Sequence, residues 1–411
     1  MNIEGLRCVE CASEWGLADA KYVCPRCAGN LSVVYDLKAL RKRITRGSLK
    51  TDAERSLWRY LEILPLTGRS GIALAQVGWT PLYRARGLGE PLGLENVFVK
   101  DESRNPSASL KDRASAVVAA RAAQTKERTV AGASTGNAAA SLACMMATGP
   151  SRPVIFVPRT APPAKLAQIL IYGAVVFRVD GSYDDAFDLC RRACDEFGWY
   201  NRNTGYNPFT REGKKTCAFE LCEQLSWRAP DFVFVSAGDG NILSGLWKGF
   251  SEFHALGLID KKPKMVAVQA AGSAAIARSW KDGLPIRAAS GRTLADSISV
   301  RLPRDGFAAV AAIRESGGFA VTVSDRAIVA AIAPLARGAG VFAEPAGAAA
   351  YAGLAQCAAA GAVRARETVV IVATGSGLKD VSSAMKAAGR PHDVGTRLGS
   401  IRRLAARENI L

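Results

Sequence analysis

The residues with chemistry to offer are a lysine heading a helix-like run, four loops of small residues and four spaced cysteines. Lys111 closes the turn-like stretch Asn105-Pro106-Ser107-Ala108-Ser109-Leu110, and Asp112, Arg113 and an alanine-rich run from Ala114 to Ala123 follow it. That order predicts a helix opening out of a Pro/Ser turn. A lysine amine held in an apolar cleft loses proton affinity and can serve as nucleophile and proton carrier. A lysine on the first turn of a surface helix does neither, and the segment alone fits both. Three further loops, Ala133-Ser134-Thr135-Gly136-Asn137, Ser236-Ala237-Gly238-Asp239-Gly240-Asn241 and Ala373-Thr374-Gly375-Ser376-Gly377, combine glycine with hydroxyl and amide side chains. Small residues at a helix start let backbone N–H groups approach an anion closely, so each loop can cradle a phosphate or carboxylate. Cys8-x2-Cys11 and, twelve residues on, Cys24-x2-Cys27 have the spacing of paired knuckles around one tetrahedral zinc. Free thiols in a small β segment remain the other reading of the same spacing.

Each loop follows a short apolar run, which the sequence reads as a strand. Val97-Phe98-Val99-Lys100 precedes the lysine motif, Thr129 to Ala131 precedes Ser134, Phe232 to Val235 precedes Gly238, and Thr368 to Val372 precedes Thr374. Pro153 to Val157, Ala174 to Arg178 and Met265 to Gln269 are further strands of this kind, and helix-like segments separate them. Alternating β and α segments predict an α/β fold of parallel sheets wrapped by helices, with sites at the carboxyl ends of the strands. Ahead of this lies a ribbon over residues 1 to 35 ending in Leu31 to Tyr35, then a stretch from Leu37 to Leu64 expected to be mostly helical. Cys144, Cys190, Cys194, Cys217, Cys222 and Cys357 fall in helix-like segments and read as small core residues.

With 411 residues, 49% hydrophobic and 22% charged, the chain can bury a large core in more than one lobe, and the composition is ordinary for a soluble protein. No apolar run is long enough to span a bilayer, and Met1-Asn2-Ile3-Glu4-Gly5 lacks the parts of a signal sequence. A cytoplasmic location with no membrane partner is expected. Lys+Arg 54 against Asp+Glu 37 gives +17. The cations are spread along the chain apart from Arg41-Lys42-Arg43 to Arg46, and no nucleic-acid module is present, so nucleic acid is not an expected partner. Attraction of anionic small substrates and plain surface arginines both fit the surplus.

From about Leu6 to Lys386 the chain resembles the fold-type II pyridoxal-phosphate enzymes of the tryptophan synthase beta superfamily, and within them threonine synthase. The resemblance is carried by Gly78-Trp79-Thr80-Pro81-Leu82, the Lys111 motif, Ser134 to Asn137, and Asn207-Pro208 with Glu212-Gly213-Lys214-Lys215-Thr216. It continues through Gly238 to Asn241, Phe342-Ala343-Glu344-Pro345 and Thr374-Gly375-Ser376-Gly377-Leu378-Lys379-Asp380. It implies two lobes, the smaller over residues 103–207 and the larger over 36–102 and 208–390, with pyridoxal phosphate between them; a homodimer is expected. By the same resemblance Lys111 forms the resting Schiff base and carries protons. Gly238, Asp239, Gly240 and Asn241 hold the cofactor phosphate, Asn137 the ring oxygen and Thr374 the ring nitrogen. Ser134 and Thr135 receive the carboxylate of an amino-acid substrate. Only His254 and His392 occur and neither lies in a motif loop, so a histidine base is not expected. Thr374 also fits as a plain hydroxyl ending a buried strand, and Asp239 beside a dianion requires its side chain to turn away or cap the following helix.

Threonine synthase converts O-phospho-L-homoserine and water to L-threonine and phosphate, and so grips a second phosphate. Here the chain departs from the family. Ala138 stands where a phosphate-binding threonine is usual, and Thr210 where an arginine is usual; Arg211, one residue on, is the candidate replacement, with Lys214 another. Ala108 replaces a glycine and Leu110 a phenylalanine in the lysine motif. The alternative is β-replacement or β-elimination on a serine-type substrate, cysteate synthase-like or threonine/serine dehydratase-like. A non-catalytic zinc-bearing module on the same fold is a third reading, and the intact Lys111 motif speaks against it.

Overall fold

The computed structural model describes residues 2–134, 136–159, 161, 163–408 and 410. Its N-terminal ribbon is an antiparallel three-stranded sheet of β1 (Ile3–Cys8), β2 (Glu14–Trp15) and β3 (Leu31–Tyr35), with β1 central. In β3, Leu31, Val33 and Tyr35 are buried and the alternate residues less so, the period of a strand with one face on a core.

Two sheets build the rest. Strands β4 (Leu82–Arg84), β5 (Asn96–Asp101), β10 (Phe232–Ser236), β11 (Lys264–Ala270), β12 (Phe319–Val323) and β13 (Thr368–Ala373) form one in the order β12-β11-β10-β13-β5-β4. It is parallel except for the antiparallel edge strand β4. Strands β6 (Thr129–Ala133), β7 (Arg152–Pro158), β8 (Val175–Val179) and β9 (Tyr200–Asn201) form an all-parallel sheet in the order β8-β7-β6-β9. Central strands such as Phe232-Val233-Phe234-Val235 are buried on both faces, because helices cover each side, and therefore read as continuous apolar runs rather than alternating ones. Five helices carry the site: α1 (Lys111–Gln124), α2 (Asn137–Met146), α3 (Phe209–Gln224), α4 (Asn241–Ala255) and α5 (Pro345–Ala359). Among the described residues no helix is long and apolar enough to cross a membrane.

The stretch 37–64 is mostly helical, as expected, but broken into short pieces. It holds two short helices, Leu37–Arg41 and Arg46–Thr51, and a 3-10 stretch, Leu57–Ile63, with Asp52 extended between them. Thr45, Ser48 and Asp52 favour caps and turns over helix interiors, and Thr45 and Ser48 close a reciprocal capping box. The six scattered cysteines all lie in helices, and five of them are buried.

Candidate functional site

Lys111 is the first residue of α1, and hydrogen bonds to a second loop fix its position. The Leu110 amide donates to the Thr374 carbonyl at 2.9 Å and the Ser376 amide to the Ala108 carbonyl at 3.1 Å, so the lysine loop and the loop after β13 form one wall. Ala108 has φ +63°, a left-handed conformation that glycine adopts freely and alanine only under strain. The glycine usual at this position is thus explained, and this chain keeps the geometry without it. Two residues on, Arg113 is clamped between Glu102 at 2.7 Å and Glu220 at 2.6 Å, and Lys100 reaches Glu220 at 2.7 Å, all four without exposure. Against the upward push of burial, Arg113 and Lys100 hold Glu220 down to about 2. This network locks α1 to β5 and α3 beneath the lysine.

A cleft of about 390 Å³ opens between the two parallel sheets, and Lys111, Ser134, Asn137, Ala138, Lys214, Ser236, Gly238 to Asn241, Glu344 and Thr374 line it. Ser134, Asn137, Ala138, Ser236, Gly238 to Asn241 and Thr374 follow the carboxyl ends of β6, β10 and β13 or start the helices after them, the position at which parallel α/β sheets offer sites. Burial pulls the Lys111 amine down to about 8, and among the described residues no protein group hydrogen-bonds it. The loop after β10 is shaped for an anion. Gly240 has φ +90°, and a Cβ there would meet Ala309 Cβ at 2.7 Å, while the first turn of α4 has no side-chain cap and the Ser236 hydroxyl is buried without a partner. Such free donors at a helix N-terminus suit a phosphate. Asp239 turns away to accept from the Arg304 amide at 3.1 Å and does not cap α4.

Of the residues named from sequence, Lys111, Ser134, Asn137, Gly238 to Asn241 and Thr374 come together in this cleft; Thr135 lies outside the described residues. Arg211 does not join them. It is buried in an ion pair with Asp305 and also donates to Ser244 Oγ at 3.2 Å. Lys214, one helix turn from Thr210 and also named from sequence, lines the cleft from the same helix. Glu344 is a further wall residue: it is buried, burial raises its carboxyl above the usual range, and Asn137 Nδ2 donates to it at 2.6 Å. Its signal in sequence was the Glu-Pro pair opening an alanine-rich helix.

The four ribbon cysteines converge. Cys8 Sγ lies 3.5 Å from Cys27 Sγ and Cys11 Sγ 3.7 Å from Cys24 Sγ, with all four sulfurs within 4.8 Å of one another. A tetrahedral zinc with Zn–S of about 2.3 Å sets its sulfurs about 3.8 Å apart, so the cluster has the dimensions of a four-thiolate zinc site. The two knuckles repeat one turn, with Ala12 at φ 59° and Ala28 at φ 58° sending their amides back to the Cys8 and Cys24 carbonyls. A zinc held by these four ligands would have a closed coordination sphere with none left for substrate, so its role would be structural. Elemental analysis of protein expressed with zinc should give one zinc per chain, and mild chelation should lower thermal stability more than kcat. Zinc-free protein of unchanged stability would remove the site.

An amine in a cleft between two parallel sheets, facing an anion cradle at a helix N-terminus, defines an α/β enzyme built to hold a phosphorylated carbonyl cofactor. The fold itself matches solved structures. It superimposes on Escherichia coli diaminopropionate ammonia lyase with a TM-score of 0.65 at 18% identity, covering 84% of this chain and 92% of that one. For maize serine racemase the values are 0.63, 22%, 80% and 93%. The family model described as "Pyridoxal-phosphate dependent enzyme" matches residues 73–375. The chain is 38% identical to threonine synthase of Methanocaldococcus jannaschii over 403 residues, 97% of this chain and 98% of that one. It is 37% identical to threonine synthase of Methanosarcina acetivorans over 400 residues, 97% of each. The chain belongs to the pyridoxal-phosphate dependent enzymes and is a threonine synthase-like lyase with pyridoxal phosphate as its cofactor.

Proposed function

We propose that the chain converts O-phospho-L-homoserine and water to L-threonine and phosphate. The observation that carries this reading is Lys111: an amine at the cleft wall, unpaired by any described protein group, with its proton affinity pulled down to about 8. Bound pyridoxal phosphate supplies an electron sink for the charge left at Cα of an amino acid. Lys111 Nζ would hold the cofactor and, once freed, move protons at Cα and Cβ, a task suited to an amine near neutrality. Phosphate leaves from Cγ and water adds at Cβ. Gly238, Asp239, Gly240 and Asn241 would hold the cofactor phosphate, Asn137 the ring oxygen, Thr374 the ring nitrogen, and Ser134 with Thr135 the substrate carboxylate. Lobes at 103–207 and at 36–102 with 208–390, a homodimer and a cytoplasmic location belong to the same reading.

A second reading, β-replacement or β-elimination on a serine-type substrate, is favoured by Ala138 in the cleft wall and by the engagement of Arg211 with Asp305. Incubation with phosphohomoserine, phosphoserine and threonine in turn, following phosphate release and the amino-acid product, separates the two. The expected result is threonine formation from phosphohomoserine with kcat/KM about 10-fold or more above the others. The reverse order would sink the first reading and promote the second.

A further inference from the structure

Helix α3 is buried on all sides from Phe209 to Cys222, and its charged residues inside that span are Arg211, Glu212, Lys214, Lys215 and Glu220. Four of them meet an opposite charge: Arg211 meets Asp305, Glu212 meets Lys215 and Lys248, Lys215 also meets Glu252, and Glu220 meets Arg113 and Lys100. Lys214 is the exception. It is fully buried, no carboxylate among the described residues lies within ion-pair distance, and its single hydrogen bond goes to the neutral Oδ1 of Asn241. A buried ammonium with one neutral acceptor is costly unless an anion completes it.

The direction in which Lys214 points identifies that anion. Lys214 lines the cleft, and Asn241, its acceptor, opens α4 beside the uncapped first-turn amides. Lys214 is also one turn along α3 from Thr210, and residues i and i+4 share a helix face. Both side chains converge on Asn241, Thr210 Oγ1 at 3.5 Å. Asp305 is neutralised by Arg211, and Asp239 is turned to the Arg304 amide, so neither carboxylate claims the lysine.

We propose that Lys214 is a phosphate ligand, its ammonium completing the anion site at the N-terminus of α4 for a phosphate monoester, either that of the cofactor or that of the substrate. The assignment rests on the reading above only in requiring a phosphorylated ligand in the cleft, and holds whichever amino acid is turned over. Burial and the neighbouring Lys111 push the Lys214 amine well below the ordinary lysine value, the expected state of a cation still lacking its counter-charge.

The test compares wild-type, Lys214→Gln and Lys214→Arg holoenzymes. Equilibrium dialysis gives dissociation constants for pyridoxal phosphate and for pyridoxal, which lacks the phosphate. Binding of 2-amino-5-phosphonopentanoate to the holoenzyme, with norvaline as its phosphonate-free control, covers the substrate. Loss of one charge-assisted contact should weaken the phosphorylated probe about 10- to 100-fold. Weakening of pyridoxal phosphate but not pyridoxal assigns the cofactor phosphate, weakening of the phosphonate but not norvaline assigns the substrate phosphate, and Lys214→Arg should retain most of the affinity. No change, or equal weakening of probes with and without phosphate, overturns the proposal. Where Lys214→Gln misfolds, Lys214→Met, which fills a similar volume, decides instead. Without added cofactor it should melt at or above the wild type because an unpaired charge is gone, whereas a lower melting point would mark Lys214 as a structural residue.

Discussion

Lys111→Ala should lose about 10³-fold or more in turnover while keeping its fold, because on the reading proposed above it removes both the cofactor's anchor and the group that moves protons. The fold should survive, since Lys111 Nζ makes no hydrogen bond among the described residues, and alanine has high helix propensity. The anchor can be read chemically. Borohydride reduction of the wild-type holoenzyme followed by peptide mapping should place the pyridoxyl label on Lys111, and the variant should carry none. Lys214 makes this a demanding test, since it offers a second buried amine in the same cleft. Label on Lys214 in the wild type would exchange the two assignments. With burial pulling the Lys111 amine down to about 8, a rate that depends on its base form should fall as pH drops through that value.

The place of Lys111, opening a helix at the cleft wall, was legible in the sequence because its evidence was local: a turn, a lysine, an alanine-rich helix and an apolar run before them. The strands β5, β6, β10 and β13 were legible for a related reason, since burial on both faces writes them as unbroken apolar runs. The ribbon cysteines were legible from spacing alone. Arg211 was not. Thr210 and Arg211 are adjacent in sequence, yet on a helix they point about 100° apart, and only the packing of α3 decides which faces the cleft. The residue that takes Arg211 out of the site, Asp305, is 94 positions away and lies in no motif. Lys214 was named from sequence only as a second candidate, because there it reads as half of a Lys-Lys pair. The pair splits because Lys215 turns to Glu212 and Glu252 while Lys214 turns to the cleft. The breaks within 37–64 were not legible for a different reason: its Thr, Ser and Asp residues compete locally for backbone hydrogen bonds, which average hydrophobicity does not register.

Asp305→Ala should be the most destabilising single change near the site, at about 3–5 kcal/mol, because it leaves a buried guanidinium without its counter-charge. Asp305 is unexposed and Arg211 nearly so. The same carboxylate accepts from Asn241 Nδ2 at 2.8 Å, Ser244 Oγ at 2.5 Å and Asn30 Nδ2 at 2.9 Å. It therefore joins three parts of the molecule: the interior of α3, the cradle at the start of α4 and, through Asn30, the ribbon beside the cysteine cluster. Denaturant unfolding measures the first effect, and a loss under about 1 kcal/mol would show that the pair is not held as described. The double variant Arg211→Met/Asp305→Leu separates stability from positioning. Replacing a buried ion pair with apolar side chains of similar volume is often neutral, so the double variant should recover much of the lost stability. It cannot restore the carboxylate acceptor that Asn241 and Asn30 share, although Asn30 Nδ2 keeps the Arg304 carbonyl at 2.6 Å. Its affinity for pyridoxal phosphate should therefore stay below that of the wild type, and its metal should leave faster to a chelator, even where its unfolding midpoint returns. Recovery of all three together would mean that Asp305 matters only as the partner of Arg211, and that the ribbon and the phosphate cradle are positioned independently of each other.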